Sequence, residues 1–434
     1  MSTPDFLEAT GVEIIPSGPL VGACNAPASK SVTNRLLLIA ALAEGESRLV
    51  GPLRSDDSAV MSAGLVALGA DIRDEGAAVA ITGTGGRLRE PPGVVAAGLS
   101  GTTLRWLSAA ALLVHGTVVI DGEPPLRKRP IAPLLRSLED LGARIVTDHG
   151  RPPLRITSAG LRGGRVAVDA AESSQFATSL LLIAPYAGSD LAIEVSHIGA
   201  AGYVELTLEA MSRWGAAVES SGAGRYLVTA GRHYEAREEV VEFDASAAAH
   251  LFALAMATAG ALTVRNVVDT RQPDIAMTAV FEQMGAVVAA APGGGATVSR
   301  PGPLRGVDLD IAPMPDQVPA LAVLGVLAEG TTRLRNASVA RGHETDRVAA
   351  VSRELRKLGA DIDEEGDSLV IRGGRPLIGG VVETYDDHRM AMAFSSLGAA
   401  VPGVVVNDPG CVRKTYPQYW RDVAALGLGL RAVG

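Results

Sequence analysis

The chain has 434 residues, 47% hydrophobic, 20% charged and only 4% aromatic, which fits a globular protein of two domains and excludes a disordered chain. A formal charge of −9 argues against nonspecific nucleic-acid binding, and two cysteines, Cys24 and Cys411, exclude a disulfide framework and suit a reducing compartment. No apolar run approaches the roughly 20 residues of a membrane span, and residues 1–16 lack a secretory pattern, so a cytoplasmic protein without membrane contact is expected.

In chain order, the first element with a clear start is a helix opening at Ser29-Lys30-Ser31, where small hydroxyl residues precede an apolar run. A second helix ends at Leu68-Gly69-Ala70-Asp71-Ile72, with a glycine suited to the left-handed cap and then a strand-like segment. Another strand follows over 77–81. Both signals then recur. Helix starts fall at Gly101-Thr102-Thr103, Ser173-Ser174-Gln175, Asp244-Ala245-Ser246, Pro315-Asp316-Gln317 and Asp386-Asp387-His388, at spacings of 72, 72, 70, 72 and 71. Helix ends fall at Leu141-Gly142, Trp214-Gly215, Met284-Gly285, Leu358-Gly359 and Leu426-Gly427, their glycines 73, 73, 70, 74 and 68 residues apart. One copy means only helix then strand. Six at a near-constant period mean a repeated supersecondary unit, roughly βαβαββ. Such a period is long for a solenoid, so the expectation is two globular domains of three units each. Their bounds are 1–26 with 243–434, and 27–242.

The unusual residues gather at the helix starts, where unpaired N–H groups and a partial positive charge favour phosphate and carboxylate. Ser31 and Arg35 lie four apart, hence on one helical face. Ser173-Ser174-Gln175 offers two hydroxyls and an amide, which serve equally well as plain caps. Arg129 before Pro130, Arg347 after Glu344, Arg389 after His388, and Lys414 before Thr415 add cations at starts or in the loops before them. Each alone reads as a solvated surface charge; together they read as a polyanion site. Asp316 fits an N-cap, and Glu344 fits a salt bridge with Arg347, yet either carboxylate could move a proton. The glycines around Lys30 are wrongly spaced for a Walker loop, Gly83-Thr84-Gly85-Gly86 lacks the third glycine of a dinucleotide fingerprint, and 343–347 lacks the second histidine of a zinc protease. No metal and no cofactor is expected.

Several segments carry a family resemblance: Ala28-Ser29-Lys30-Ser31 through Asn34-Arg35, Gly101-Thr102 through Arg105, Arg129-Pro130-Ile131 and Ser173-Ser174-Gln175-Phe176. It continues at Pro315-Asp316, Glu344-Thr345-Asp346-Arg347, Tyr385-Asp386-Asp387-His388-Arg389-Met390-Ala391-Met392 and Lys414-Thr415. Over essentially its whole length the chain resembles the 5-enolpyruvylshikimate-3-phosphate synthases. The related UDP-N-acetylglucosamine enolpyruvyl transferases carry a cysteine in the loop matching 123–130, where this chain has none.

The resemblance implies a two-domain inside-out α/β barrel, closing on substrates held in the cleft between domains. It implies transfer of the enolpyruvyl group of phosphoenolpyruvate to the 5-hydroxyl of shikimate 3-phosphate, without a cofactor. Lys30, Gly101, Arg129, Gln175, Arg347, Arg389 and Lys414 would bind phosphoenolpyruvate. Lys30, Ser31, Arg35, Ser173, Ser174, Gln175, Tyr203, Asp316 and His343 would bind shikimate 3-phosphate. Lys30, Asp316, Glu344 and His388 would be catalytic, with Lys30 and Asp316 deprotonating the hydroxyl and Glu344 protonating the methylene carbon. With no coiled-coil seam, a monomer is expected. Leu99, Ala200, Val339 and His343 depart from the family pattern, three of them in the acceptor region. They keep open transfer to a different cyclic alcohol and, in another class, a noncatalytic anion-binding paralogue.

Overall fold

The computed structural model describes residues 6–222 and 224–434. Among them are six four-stranded sheets built on one plan. In one, Val95–Ala96 runs parallel to His115–Asp121, which pairs antiparallel with Arg151–Ala159, itself antiparallel to the edge strand Arg144–Asp148. The helix Gly101–Ala110 joins the parallel pair, and Ala132–Asp140 precedes the final hairpin, which gives βαβαββ. The six glycines that end the second helices all lie in the left-handed region, with φ from +91° to +118°. That is a conformation where a Cβ would be strained.

By its contacts the chain divides into two units, one running up to Pro27 and resuming over Phe243–Gly434, the other Ala28–Glu242. In the second unit one sheet is completed by Glu238–Val240, which pairs parallel with Glu46–Val50. In the first, Gly11–Ile15 lies between Val404–Asn407 and Gly429–Val433, antiparallel to both, and Val21–Cys24 pairs parallel with Ala261–Val264.

Hydrophobic patterning explains the layering. Along Arg151–Ala159 burial alternates strictly, with Leu154 and Ile156 inward and Arg155 and Thr157 outward, so one sheet face meets solvent. The first helix of each repeat is instead buried on nearly every side. Gly101–Ala110 and Ala245–Thr258 are buried along their whole length, and Lys30–Leu42 is buried from Val32 onward. A helix with no exposed face belongs in a core. Each unit therefore keeps the first helices of its repeats inside, and in the unit that includes Phe243–Gly434 the starts of three of them meet at Arg389, which lies 3.8 Å from Asp316 and 4.0 Å from Asp244. No described helix is long and apolar enough to cross a membrane.

Candidate active site

In the unit Ala28–Glu242, Ser29 caps the helix Lys30–Leu42 by accepting from the Val32 amide at 3.3 Å. Lys30 Nζ stands 3.7 Å from Asp57, whose side chain is only 4% exposed. Arg35 is held from three sides: Nε donates to Thr207 Oγ1 at 2.9 Å, Nη1 to the Ser31 carbonyl at 2.8 Å and Nη2 to the Tyr203 carbonyl at 2.9 Å. Its guanidinium also lies over the Trp106 and Tyr203 rings. Burial pulls the Arg35 pKa down to about 10.

The other two helix starts of this unit are tied by Arg105, the one charged residue of the helix Gly101–Ala110. Its Nη1 donates to Gln175 Oε1 at 2.6 Å and Ser173 Oγ at 3.2 Å, and its Nη2 to the Pro130 carbonyl at 3.1 Å. Gln175 Nε2 in turn donates to Thr102 Oγ1 at 3.2 Å. A Cβ placed on Gly101 would stand 2.8 Å from Arg129 Nη1, so that guanidinium rests directly on the helix start. Ser174 is buried at the start of Gln175–Ile183, and its side chain makes no cap bond. Gly101, Thr102, Arg129, Ser173 and Gln175 thus form one cradle of N–H donors and cations, suited to an anion.

In the other unit the cluster is built around Arg347, first residue of the helix Arg347–Lys357. Its Nε and Nη2 grip Asp387 at 2.7 and 3.2 Å; Nη1 meets Asp316 at 2.5 Å and His343 Nδ1 at 2.7 Å; Nη2 also meets Glu344 at 2.9 Å. Of the five N–H groups of a guanidinium, four meet carboxylate oxygens here, and Nη1 also faces His343 Nδ1. His343 Nδ1 is also 3.1 Å from Asp316, Lys414 Nζ is 3.4 Å from Glu344, and His388 Nδ1 is 3.7 Å from Asp387. Arg389 differs: Nη2 is 3.8 Å from Asp316 and 4.0 Å from Asp244, while Nε and Nη1 are buried without an acceptor among the described residues. Arg389 is therefore the guanidinium with donors to offer an anion in this arrangement.

The electrostatics follow from the contacts. Burial pushes the Asp316 carboxyl up, but Arg347, His343 and Arg389 outweigh it and hold the group well below the usual carboxylate range. Burial opposes the charge on Arg347, and Asp387, Asp316 and Glu344 overcome it, holding its pKa well above the ordinary value.

Chain-wide similarity to known proteins agrees with this geometry. A family model described as EPSP synthase (3-phosphoshikimate 1-carboxyvinyltransferase) matches residues 14–423. The chain belongs to this family. A 3-phosphoshikimate 1-carboxyvinyltransferase of Methanoculleus marisnigri is 39% identical over 422 residues, spanning 96% of this chain and 99% of that one. The protein of the same name from Methanosphaerula palustris is 40% identical over 418 residues, with 95% and 98% covered. The solved EPSP synthase of Acinetobacter baumannii, 24% identical, shares the fold with a TM-score of 0.81 over 98% of this chain and 100% of that chain. The fold of this EPSP synthase family member is the two-domain inside-out α/β barrel.

Sequence reasoning gave no site role to four residues that the structure places in these clusters. Asp57 faces Lys30, Arg105 links the cradle, and Asp244 and Asp387 face Arg389 and Arg347. A lone cation in an apolar helix was the available signal for Arg105. Asp316 also differs from the plain N-cap reading. It sits in the 3₁₀ turn Pro315–Gln317, and its carboxylate turns toward Arg347 and His343.

Proposed function

We propose that this EPSP synthase family member transfers the enolpyruvyl group of phosphoenolpyruvate to the 5-hydroxyl of shikimate 3-phosphate and releases phosphate. The observation that carries the reading is the pair of carboxylates, Asp316 and Glu344, joined through one guanidinium and flanked by Arg389 and Lys414. The reaction needs two anions brought together and protons moved, which such a set supplies.

In the addition, the 5-hydroxyl oxygen bonds to C2 of phosphoenolpyruvate while its proton passes to Asp316 with Lys30 assisting, and Glu344 delivers a proton to C3. In the elimination, C3 returns a proton to the enzyme and the C2–O bond to phosphate breaks. Asp316, held ionised, accepts the hydroxyl's hydrogen bond from the outset. Glu344 must load a proton beforehand, and His388, beside Asp387 and Arg389, completes the catalytic group. Lys30, Gly101, Arg129, Gln175, Arg347, Arg389 and Lys414 serve phosphoenolpyruvate. Ser31, Arg35, Ser173, Ser174 and Tyr203 serve the acceptor, joined by Lys30, Gln175, Asp316 and His343. The enzyme acts as a cytoplasmic monomer, with Cys24 and Cys411, both free, kept as thiols.

A second reading, transfer to a different cyclic alcohol, is favoured by Ala200 and Val339, which offer no side-chain hydrogen bond where the family has one. The deciding experiment is phosphate release from phosphoenolpyruvate with and without shikimate 3-phosphate. Release that depends on shikimate 3-phosphate supports the first reading. Binding of phosphoenolpyruvate without release favours the second.

A further inference from the structure

The loop between the strand Gly380–Val382 and the helix His388–Ala400 carries two consecutive residues, Tyr385 and Asp386, in the left-handed region, with φ of +55° and +60°. Neither is glycine, so each holds a conformation that L-residues adopt only at a steric cost. Strained backbone persists only where its surroundings hold it.

The holding contacts come from one face of the helix Arg347–Lys357. Arg347 and Glu354 lie seven residues apart, two turns along that face. At the first position Arg347 grips Asp387. At the second, Glu354 is fully buried and accepts from three donors: Tyr385 Oη at 2.5 Å, the Glu383 amide at 3.1 Å and Lys357 Nζ at 2.7 Å. Arg353 closes the other side, donating to Tyr385 Oη at 3.1 Å with its guanidinium 5.7 Å from the ring centre. The left-handed pair is thus spanned by two anchors on one helix. Just beyond it, Asp387 Oδ1 caps the Arg389 amide at 2.9 Å.

We propose that Glu354 and Tyr385 are positioning residues that set the angle of this loop and so present Arg389 to the phosphoenolpyruvate anion. Neither touches the reacting atoms. They act through Asp387 and the start of the helix His388–Ala400. The inference rests on the proposed enolpyruvyl transfer, in which Arg389 binds phosphoenolpyruvate.

The test is steady-state phosphate release with both substrates, together with calorimetric binding of phosphoenolpyruvate. It uses the wild type, Tyr385→Phe, Glu354→Gln and the double variant. Each single change is expected to raise both KM and Kd for phosphoenolpyruvate about tenfold, with kcat and the acceptor KM within about threefold. The double variant should be no worse than the weaker single one, because both break the same contact. A merely structural role would lower the melting temperature of Tyr385→Phe and leave its affinity for phosphoenolpyruvate unchanged; that result overturns the inference. If Glu354→Gln does not fold, Tyr385→Phe decides alone. A wild type that binds phosphoenolpyruvate but does not turn over removes the proposed reaction, while the calorimetric comparison still judges the brace. A wild type that does not bind it overturns both.

Discussion

A methyl group at position 101 would stand 2.8 Å from Arg129 Nη1 and 2.9 Å from its Cζ. The obstacle is the end of a flexible side chain, so Gly101→Ala should fold normally while pushing the guanidinium off the helix start. Losing one charge-assisted hydrogen bond, about 1.5–3 kcal/mol, should raise the phosphoenolpyruvate KM by about tenfold or more and leave kcat within a few fold. An unchanged KM would place the anion away from this cradle. Glu344 makes a contrasting case. Glu344→Gln keeps the shape beside Arg347 and Lys414 but removes the transferable proton. Turnover should fall by about 10²–10⁴ while phosphoenolpyruvate affinity, read by calorimetry, stays within a few fold. Near-normal turnover would take Glu344 out of the proton-transfer role.

At the scale of the helix, the ends were legible because each is a local requirement: a left-handed glycine can be read without knowing what the helix touches. Which side chains pair across the starts was not legible, because it depends on approach between elements far apart in sequence. Arg347 meets Asp387 across 40 residues, and Arg105 meets Gln175 across 70. Asp316 misleads for the same reason, since its capping role was plausible until a distant arginine and histidine were seen to claim it. His250, in the fully buried helix Ala245–Thr258, escaped notice altogether. It is 0% exposed, and neither ring nitrogen has a hydrogen-bond partner among the described residues. Burial first, then the charges of Arg389 and Arg347, push its pKa well below the ordinary value, with Asp316 opposing them. The sign follows: folded His250 stays neutral while the unfolded chain takes a proton below about pH 6.5. Stability is therefore full above that pH and falls below it, by up to about 1.4 kcal/mol per pH unit for one site. Denaturant unfolding at pH 7.5, 6.5 and 5.5 should show this slope in the wild type, reduced by that one-proton share in His250→Phe. Equal slopes would mean that His250 takes its proton in the folded state.

For the molecule as a whole, one repeated plan is used twice, but the two units are not equally contiguous. Every strand in the sheets of Ala28–Glu242 comes from that segment, including Glu238–Val240 beside Glu46–Val50. The other unit needs the N-terminal segment. Gly11–Ile15 is an inner strand, and its removal would leave Val404–Asn407 and Gly429–Val433 each facing an empty position. It also carries Val12 and Ile14, both fully buried. Burying each is worth about 1.5–3 kcal/mol, so the pair alone rivals a sizeable share of the 5–15 kcal/mol typical of a domain. Residues 28–242 expressed alone should therefore unfold cooperatively in urea. Residues 243–434 alone should lack a cooperative transition, and a synthetic peptide of residues 1–27 should restore one. The same peptide carrying Val12→Asp and Ile14→Asp should fail, because the strand would keep its backbone hydrogen bonds but bury two charges without partners. Cooperative unfolding of 243–434 without the peptide would show that the flanking strands pair with each other once the inner strand is gone. The plan would then be six sheets of which one tolerates the loss of an inner strand.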